Sequence, residues 1–288
     1  MLLLVILAVP IAILGGAIAL GVTIPVPELG RDYVQRYLLA EEPYVLPEIL
    51  GPDDPNRPLV VIDPGHGGRD PGSIGRDAQG REVFEKDIVL PLSMALRDEL
   101  LAGGGFRVAM TREDDRIITL GHRPEIARQL GADLFISIHA DSAGERTDVS
   151  GASVYTLSNE ASSEAAARFA ERENAADRLN GVTIEGQSAD VSAILVELSQ
   201  QRTQEDATEF AALIAREGEQ QIVFHPQAIR SAELAVLRAP DVPGVLFESG
   251  FVTNRNDQAR LMTEEGREAY AQALAQAIRV YFARRAEP

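Results

Sequence analysis

The sequence LVVIDPGHGG, residues 59–68, joins a short apolar run to a polar turn rich in glycine. Four consecutive aliphatic residues predict a strand buried on both faces, as in a parallel sheet covered by helices. The glycines on either side of His66 indicate a tight turn or a close approach of the backbone to a ligand. This stretch therefore predicts a core strand that ends in a functional loop.

From Leu59 onward the chain alternates short apolar runs with longer segments of helical periodicity, a pattern typical of strands joined by crossover helices. The fold class predicted is α/β: one domain over residues 59–288, with a mostly parallel, mixed sheet flanked by helices. Further strands are predicted at 107–111, 134–139, 152–157, 233–237 and 244–248, and helices at 86–101, 124–130, 160–179, 203–221 and 263–284.

Residues 1–22 contain no charged side chain and are long enough to cross a bilayer as a helix. They predict a signal peptide or a membrane anchor, and the missing positive n-region favours the anchor. A buried core helix is the alternative, although such helices are usually shorter. Residues 23–58 contain seven prolines, which interrupt regular structure, and they predict a spacer. We expect the rest of the chain to be exported.

The composition excludes several classes of site. The chain has 288 residues, 44 acidic and 27 basic side chains and a net charge of -17, so it lacks the clustered cations that nucleic-acid binding requires. It has no cysteine, which excludes disulfides, iron–sulfur clusters and thiolate zinc sites. Any metal must therefore bind histidine, aspartate or glutamate.

Polar residues follow three of the predicted strands, at 63–68, 139–141 and 248–250. Sites in open α/β sheets form at the carboxyl ends of strands, so these three segments can converge. Two imidazoles and a carboxylate are the ligands of a zinc site that keeps one position open, and His66 and His139 are the natural pair. Either histidine could instead be a strand-end residue that bonds to the backbone.

Spacing alone does not choose the carboxylate, because Glu82, Glu85 and Asp87 all lie near the start of the first predicted helix. Glu248 ends an apolar run, where a charge is costly without a partner, and this favours a place in the site. Two further histidines, His122 and His225, lie at helix edges and are expected to be structural. The segment around Ser249 lacks the strained elbow of serine hydrolases, and nothing selects a pair of carboxylates for glycosidase chemistry.

Six stretches together resemble the zinc-dependent N-acetylmuramoyl-L-alanine amidases, which cut peptidoglycan during bacterial cell separation. The matching stretches follow in the family's order across almost the whole domain: VVIDPGHGGRDPGSIG (60–75), FEKDIVL (84–90), TREDD (111–115), ADLFISIHAD (132–141), GASVYTLS (151–158) and LRAPDVPGVLFESGFVTN (237–254). Several motifs at compatible distances make the resemblance specific.

The resemblance implies one zinc ion held by His66, Glu85 and His139, with Glu248 as the catalytic residue. It implies hydrolysis of the amide between N-acetylmuramic acid and L-alanine, for cell-wall remodelling and daughter-cell separation. Peptidoglycan would be the substrate, and the protein would be periplasmic, secreted or anchored to the inner membrane by residues 1–22.

The segment at about 160–220 resembles the regulatory insert of switchable members of the family. We expect autoinhibition, in which a helix of this insert covers the cleft and a carboxylate from Glu171, Glu173 or Glu185 takes the position that water needs at zinc. The apolar run 191–198 would then bind an activator of the LytM type.

Two alternatives stay open at this stage. The first is a zinc exopeptidase with similar ligands, which would release free amino acids from peptides. The second is a cell-wall or partner-binding module without catalysis, although all four expected site residues are present. A monomer is the default expectation, since no heptad pattern or exposed apolar seam stands out.

Overall fold

Eight strands lie in the part of the chain that the computed structural model describes, residues 45–179 and 193–286. Apolar residues that are completely buried dominate the central strands, as a sheet covered on both faces requires. The strands are β1 (Leu59–Pro64), β2 (Ile74–Arg76), β3 (Glu82–Phe84), β4 (Arg107–Met110), β5 (Leu134–Asp141), β6 (Ala152–Leu157), β7 (Phe224–Ala232) and β8 (Gly244–Phe251).

Six of these strands form the main sheet, in the order β4-β1-β5-β8-β6-β7, while β2 and β3 form a separate hairpin. Strands β4, β1, β5 and β8 run parallel to one another, whereas β6 runs antiparallel to β8 and pairs in parallel with β7. The sheet is therefore mixed and mostly parallel, as predicted. The carboxyl ends of β1, β5 and β8 meet at one edge, which is where the polar segments lie.

Helices cover both faces of the sheet. One core cluster joins apolar residues of α1, α5 and α7 to one face, and a second joins residues of α2 and α3 to the other. The helices are α1 (Glu85–Ala102), α2 (His122–Leu130), α3 (Glu164–Glu173), α4 (Ala176–Leu179), α5 (Ala193–Glu217), α6 (Arg255–Met262) and α7 (Glu264–Ala286).

The strand predicted at 233–237 is wrong. Ala235–Leu237 form a short 3-10 helix, and the strand precedes them as β7. Val236 and Leu237 are buried in the core, although they lie in this 3-10 helix rather than in a strand. Strand β7 is an edge strand with several exposed or half-exposed residues, so it has no continuous apolar run that the sequence could signal.

The compact unit begins at Val45 and takes in the last part of the proline-rich segment. Leu50 makes an antiparallel bridge to Val108, so this part of the chain lies along the outer side of edge strand β4. Residues 1–22, the predicted anchor or signal peptide, lie outside the described residues. Among the helices of residues 45–179 and 193–286, none has the length and apolarity to span a membrane.

The core of α1 provides a test of packing. Leu96 is completely buried between this helix and the sheet, so we expect Leu96→Ala to lower the free energy of unfolding by about 2–5 kcal/mol. Urea denaturation followed by circular dichroism measures the loss. Ile229→Ala is the control, because this side chain is 45% exposed on β7 and its loss should cost less than about 1 kcal/mol. Equal losses would show that the core is not where we place it.

Candidate metal centre

The loop after β1 is held by a buried polar network. Asp63 is completely buried and accepts hydrogen bonds from Thr111 Oγ1 (2.6 Å), Ser137 Oγ (2.7 Å) and Arg123 Nη1 (2.8 Å). Burial would raise the pKa of Asp63, but Arg123 and the two hydroxyls hold it below its usual value. The Asp63 carboxylate is therefore charged and fully bonded at the base of the loop.

Two buried arginines fix the path of the loop itself. Arg123 donates to the carbonyl oxygens of Pro64 and His66, and Arg112 donates to those of Pro64 and Gly65. His66 has a φ of 58°, the left-handed region that a residue with a side chain seldom adopts. The arginine contacts thus hold His66 in a conformation that turns its side chain into the site.

His66 and His139 meet at the edge formed by β1 and β5. Their rings are edge to face, with centroids 4.8 Å apart, and both side chains are nearly buried. His66 Nδ1 lies 2.8 Å from Asp70 Oδ2. A carboxylate in this position fixes the ring orientation and makes Nε2 a better ligand.

Glu85, the first residue of α1, contacts both histidines with different oxygens. Its Oε1 lies 3.0 Å from His139 Nδ1, and its Oε2 lies 3.2 Å from His66 Nε2. Although burial opposes the shift, the two imidazoles hold the pKa of Glu85 well below its usual range. Burial lowers the pKa of His66, but the carboxylates of Glu85 and Asp70 raise it more, so this pKa is well above its usual value.

A second carboxylate approaches the same two nitrogens from α3. A single oxygen of Glu173, Oε2, lies 3.5 Å from His66 Nε2 and 3.4 Å from His139 Nδ1. These three atoms lie within 4.8 Å of one another and could hold a metal ion. Of the other two glutamates considered for this blocking position, Glu171 is exposed on the same helix, and Glu185 lies outside the described residues.

Glu248 lies beside this cluster on β8, in register with His139 on β5. It is buried, and neither of its carboxylate oxygens has a hydrogen-bond partner among the described residues. Burial, together with the carboxylates of Asp141 and Glu85, raises the pKa of Glu248 well above its usual value. A buried carboxylate without partners is costly, so its place in the site calls for a functional reason.

Helix α3 docks on the site through several polar contacts. Arg172 pairs with Asp141 at the end of β5, and Asn174, just past the helix, bonds both the Glu233 carbonyl and the Ala235 amide. Burial raises the pKa of Asp141 to about 7 despite the guanidinium of Arg172. These contacts fix where the carboxylate of Glu173 lies.

Apolar contacts and α4 add to this docking. The ring of Phe169 stacks on Tyr155 of β6, with centroids 4.5 Å apart. In α4, Asp177 accepts hydrogen bonds from the Leu120 amide, close to Arg123. The segment from α3 to α4 therefore spans the site from β6 to the start of α2.

The structure brings together all four site residues predicted from the sequence: His66, Glu85, His139 and Glu248. The competing acids Glu82 and Asp87 are not in the cluster, and Glu82 pairs with Arg76 on the hairpin. His122 lies 3.0 Å from Thr119 Oγ1, and His225 contacts Arg230, so both lie elsewhere. Sequence analysis missed Asp70, whose position four residues after His66 was the available signal.

The donor set fits a zinc ion. Ligands at 2.0–2.1 Å from a tetrahedral zinc lie roughly 3.3 Å from one another, and the nitrogen–oxygen distances here are 3.0 to 3.5 Å. His66 Nε2 is buried without a hydrogen-bond partner among the described residues, as expected of a nitrogen aimed at a metal. Two imidazoles and carboxylate oxygens are also ligands that zinc accepts.

Comparison with known proteins identifies relatives. Residues 60–280 match the N-acetylmuramoyl-L-alanine amidase family. The chain is 34% identical to the amidase AmiC of Escherichia coli O6:H1 over 79% of its length and 54% of that protein. It is 36% identical to AmiA of Escherichia coli K12, over 78% of this chain and 76% of that one. The chain spans about half the length of the AmiC relatives it matches.

The fold also matches solved structures. The amidase AmiC2 of Nostoc punctiforme superposes with a TM-score of 0.57 at 28% identity, covering 78% of this chain and 97% of that one.

Gly72 tests how tightly the site is packed. A Cβ atom there would lie 2.6 Å from both Glu85 Oε2 and His66 Cδ2, and the φ of 67° disfavours any side chain. We expect Gly72→Ala to lower the free energy of unfolding in urea by about 2–4 kcal/mol, from backbone strain plus the clash. Gly80→Ala is the matched control, because Gly80 has a φ of 79° and open space around it, so strain alone should cost about 1–2 kcal/mol. Equal costs at the two positions would contradict the packing.

Proposed function

Because the chain belongs to the N-acetylmuramoyl-L-alanine amidase family, we propose that it hydrolyses the amide between N-acetylmuramic acid and L-alanine in peptidoglycan. The observation that carries the proposal is the cluster of His66, His139 and Glu85 beside a buried Glu248 with no hydrogen-bond partner among the described residues. Metal ligands next to one free carboxylate are the arrangement that metal-assisted amide hydrolysis requires.

His66, Glu85 and His139 would hold one zinc ion, with Asp70 orienting His66 from behind. Bound zinc supplies Lewis acidity, which polarises a carbonyl oxygen and makes water a nucleophile near neutral pH. Glu85 is held in place apart from any metal, since Oε1 accepts from the Ala140 amide and Oε2 from the Ser73 amide.

Glu248 would act as general base and then general acid. Its carboxylate would take the proton of the attacking water and return it to the nitrogen of the leaving L-alanine. Strand register supports this role, because Glu248 and His139 are neighbours on paired strands, so the base stays at a fixed distance from the ligands. The same burial that raises its pKa suits a group that must carry a proton during the reaction.

Glu173 would keep the enzyme inactive at rest. Its carboxylate oxygen lies 3.5 Å from His66 Nε2 and 3.4 Å from His139 Nδ1, so it would bind the same ion and exclude water and substrate from it. Activation then requires α3 to move away from the site. We propose that a LytM-type activator binding at residues 191–198 drives this movement. The side chains of residues 191–198 lie outside the described residues.

The setting we propose is the bacterial cell envelope. Residues 1–22 would export the chain or anchor it to the inner membrane, and the proline-rich spacer would set its reach towards the wall. In this periplasmic location the enzyme would serve cell-wall remodelling and daughter-cell separation.

The activity itself is tested by mass spectrometry of purified peptidoglycan after digestion with the full zinc-loaded chain and with its Glu173→Ala variant, which keeps every helix of the core. We expect intact stem peptides that begin with L-alanine, released from unbroken glycan strands, and more release from the variant. Free amino acids would indicate an exopeptidase. No product from either protein, with zinc bound, would contradict the amidase.

Glu248→Gln removes the proposed base while preserving shape. We expect turnover to fall by about 10²–10⁴-fold, because the amide cannot accept the proton. Zinc content, measured by elemental analysis of the dialysed protein, should stay at one ion per chain. Full activity in this variant would exclude Glu248 as the base, and loss of zinc would instead make it a ligand.

Glu173→Ala tests the resting state. Removing the carboxylate should raise activity without an activator at least about tenfold. The blocked state would lose a metal–carboxylate bond that stabilises it by more than ~1.4 kcal/mol. Glu171→Ala is the matched control, because this glutamate lies on the same helix and is exposed. Dye release from labelled peptidoglycan measures both. The blocking role is excluded if Glu173→Ala is no faster than the control.

A further inference from the structure

Asp141 and the Ser142 carbonyl form a compact cation site next to the metal cluster. Arg172 occupies it: Nη2 donates to Asp141 Oδ1, and Nη1 donates to the Ser142 carbonyl oxygen at 3.5 Å. The Asp141 side chain is only 12% exposed, whereas that of Arg172 is 47% exposed. The carboxylate is therefore the built, fixed partner, and the guanidinium is a half-exposed group that covers it.

The position of Asp141 relates the site to substrate. Asp141 is two residues beyond His139 on β5, and Arg172 is the residue directly before Glu173 on α3. Two adjacent residues of α3 thus fill two adjacent positions of the cleft: Glu173 at the metal nitrogens and Arg172 at Asp141. When α3 leaves, both positions become free together.

We infer that Asp141, with the Ser142 carbonyl, binds the ammonium group of the peptidoglycan stem peptide, and that Arg172 fills this subsite in the closed state. The inference rests on the proposed amidase function and on the displacement of α3. It assigns to Asp141 a part in substrate selection rather than in the chemistry.

Charge and burial support this assignment. A nearly buried carboxylate is destabilised when it loses its cation, so the open state favours any ligand that replaces the guanidinium. The carboxylate of Glu85 lies in the same cleft, and the pKa of Glu85 is held well below its usual range. A stem peptide carries one diamino acid, and its ammonium can replace the guanidinium that pairs with Asp141. The subsite would therefore orient the peptide by its single cation.

The test measures binding of two probes to the full, zinc-loaded chain, in a background that combines Glu248→Gln, which prevents turnover, with Glu173→Ala, which removes the proposed block. The probes are N-acetylmuramoyl-L-alanyl-γ-D-glutamyl-L-lysine and the same molecule with its lysine Nε acetylated. Isothermal titration gives the dissociation constants. The variants are Arg172→Gln, which frees the subsite, and Arg172→Gln combined with Asp141→Asn, Asp141→Glu or Asp148→Asn.

With Arg172→Gln, we expect the ammonium probe to bind about tenfold more tightly than the acetylated one. Asp141→Asn should reduce this ratio to about one, and Asp141→Glu should preserve it. Asp148→Asn is the matched control for lost charge, because Asp148 is exposed in the same connection after β5, and it should leave the ratio unchanged. With Arg172 intact the ratio should be near one.

Two outcomes would overturn the inference. A ratio near one in Arg172→Gln would show that Asp141 does no more than anchor α3, and this result does not depend on whether Asp141→Asn folds. A tenfold ratio that survives Asp141→Asn would place the ammonium elsewhere.

A parallel digestion of peptidoglycan by Arg172→Gln combined with Glu173→Ala, with Glu248 intact, separates this inference from the proposed function. Charge-dependent binding without release of stem peptides would refute the amidase but leave the subsite. Release without charge-dependent binding would do the reverse.

Discussion

The buried carboxylate of Asp63 is the constraint on which the site depends. It lies at the carboxyl end of β1, where three donors bond it, and the charged one, Arg123, also donates to the carbonyls of Pro64 and His66. A buried charge of this kind is stable only when fully bonded, so the ion pair and the loop conformation support each other. The unusual backbone of His66, and with it the direction of its imidazole, follows from this pairing.

The grouping of the candidate site residues could be predicted from the sequence because these residues lie where regular structure ends. Apolar runs identify β1, β5 and β8, and parallel strands bring their carboxyl ends together, so His66, His139 and Glu248 could be grouped before any coordinates. The choice of Glu85 over Glu82 and Asp87 required the family resemblance, because all three lie within one short stretch and spacing does not rank them.

The parts that could not be predicted depend on tertiary contacts. Strand β7 pairs with β6 alone and is partly exposed, so its sequence lacks an apolar run. Glu171 and Glu173 lie two residues apart on one helix, and the rotation of α3 that buries one and exposes the other comes from Phe169 stacking on Tyr155 and from Arg172 pairing with Asp141. The helical periodicity of the sequence predicted α3, but it did not predict the contacts that set the rotation of α3 about its axis.

The parallel pairing of β6 with β7 has a consequence for how such an enzyme can vary. Parallel neighbours cannot be joined by a tight turn, so a long crossover between them is obligatory, and here it contains α3, α4 and α5. The groups proposed for catalysis lie on the loop after β1 and on α1, β5 and β8, outside that crossover. Since the closure entropy of a connection grows slowly with its length, insertions into this segment cost the sheet little, whereas α3 and α5 pack on its two faces and must be kept. The proposed control by this segment can therefore change by insertion without altering the candidate metal centre.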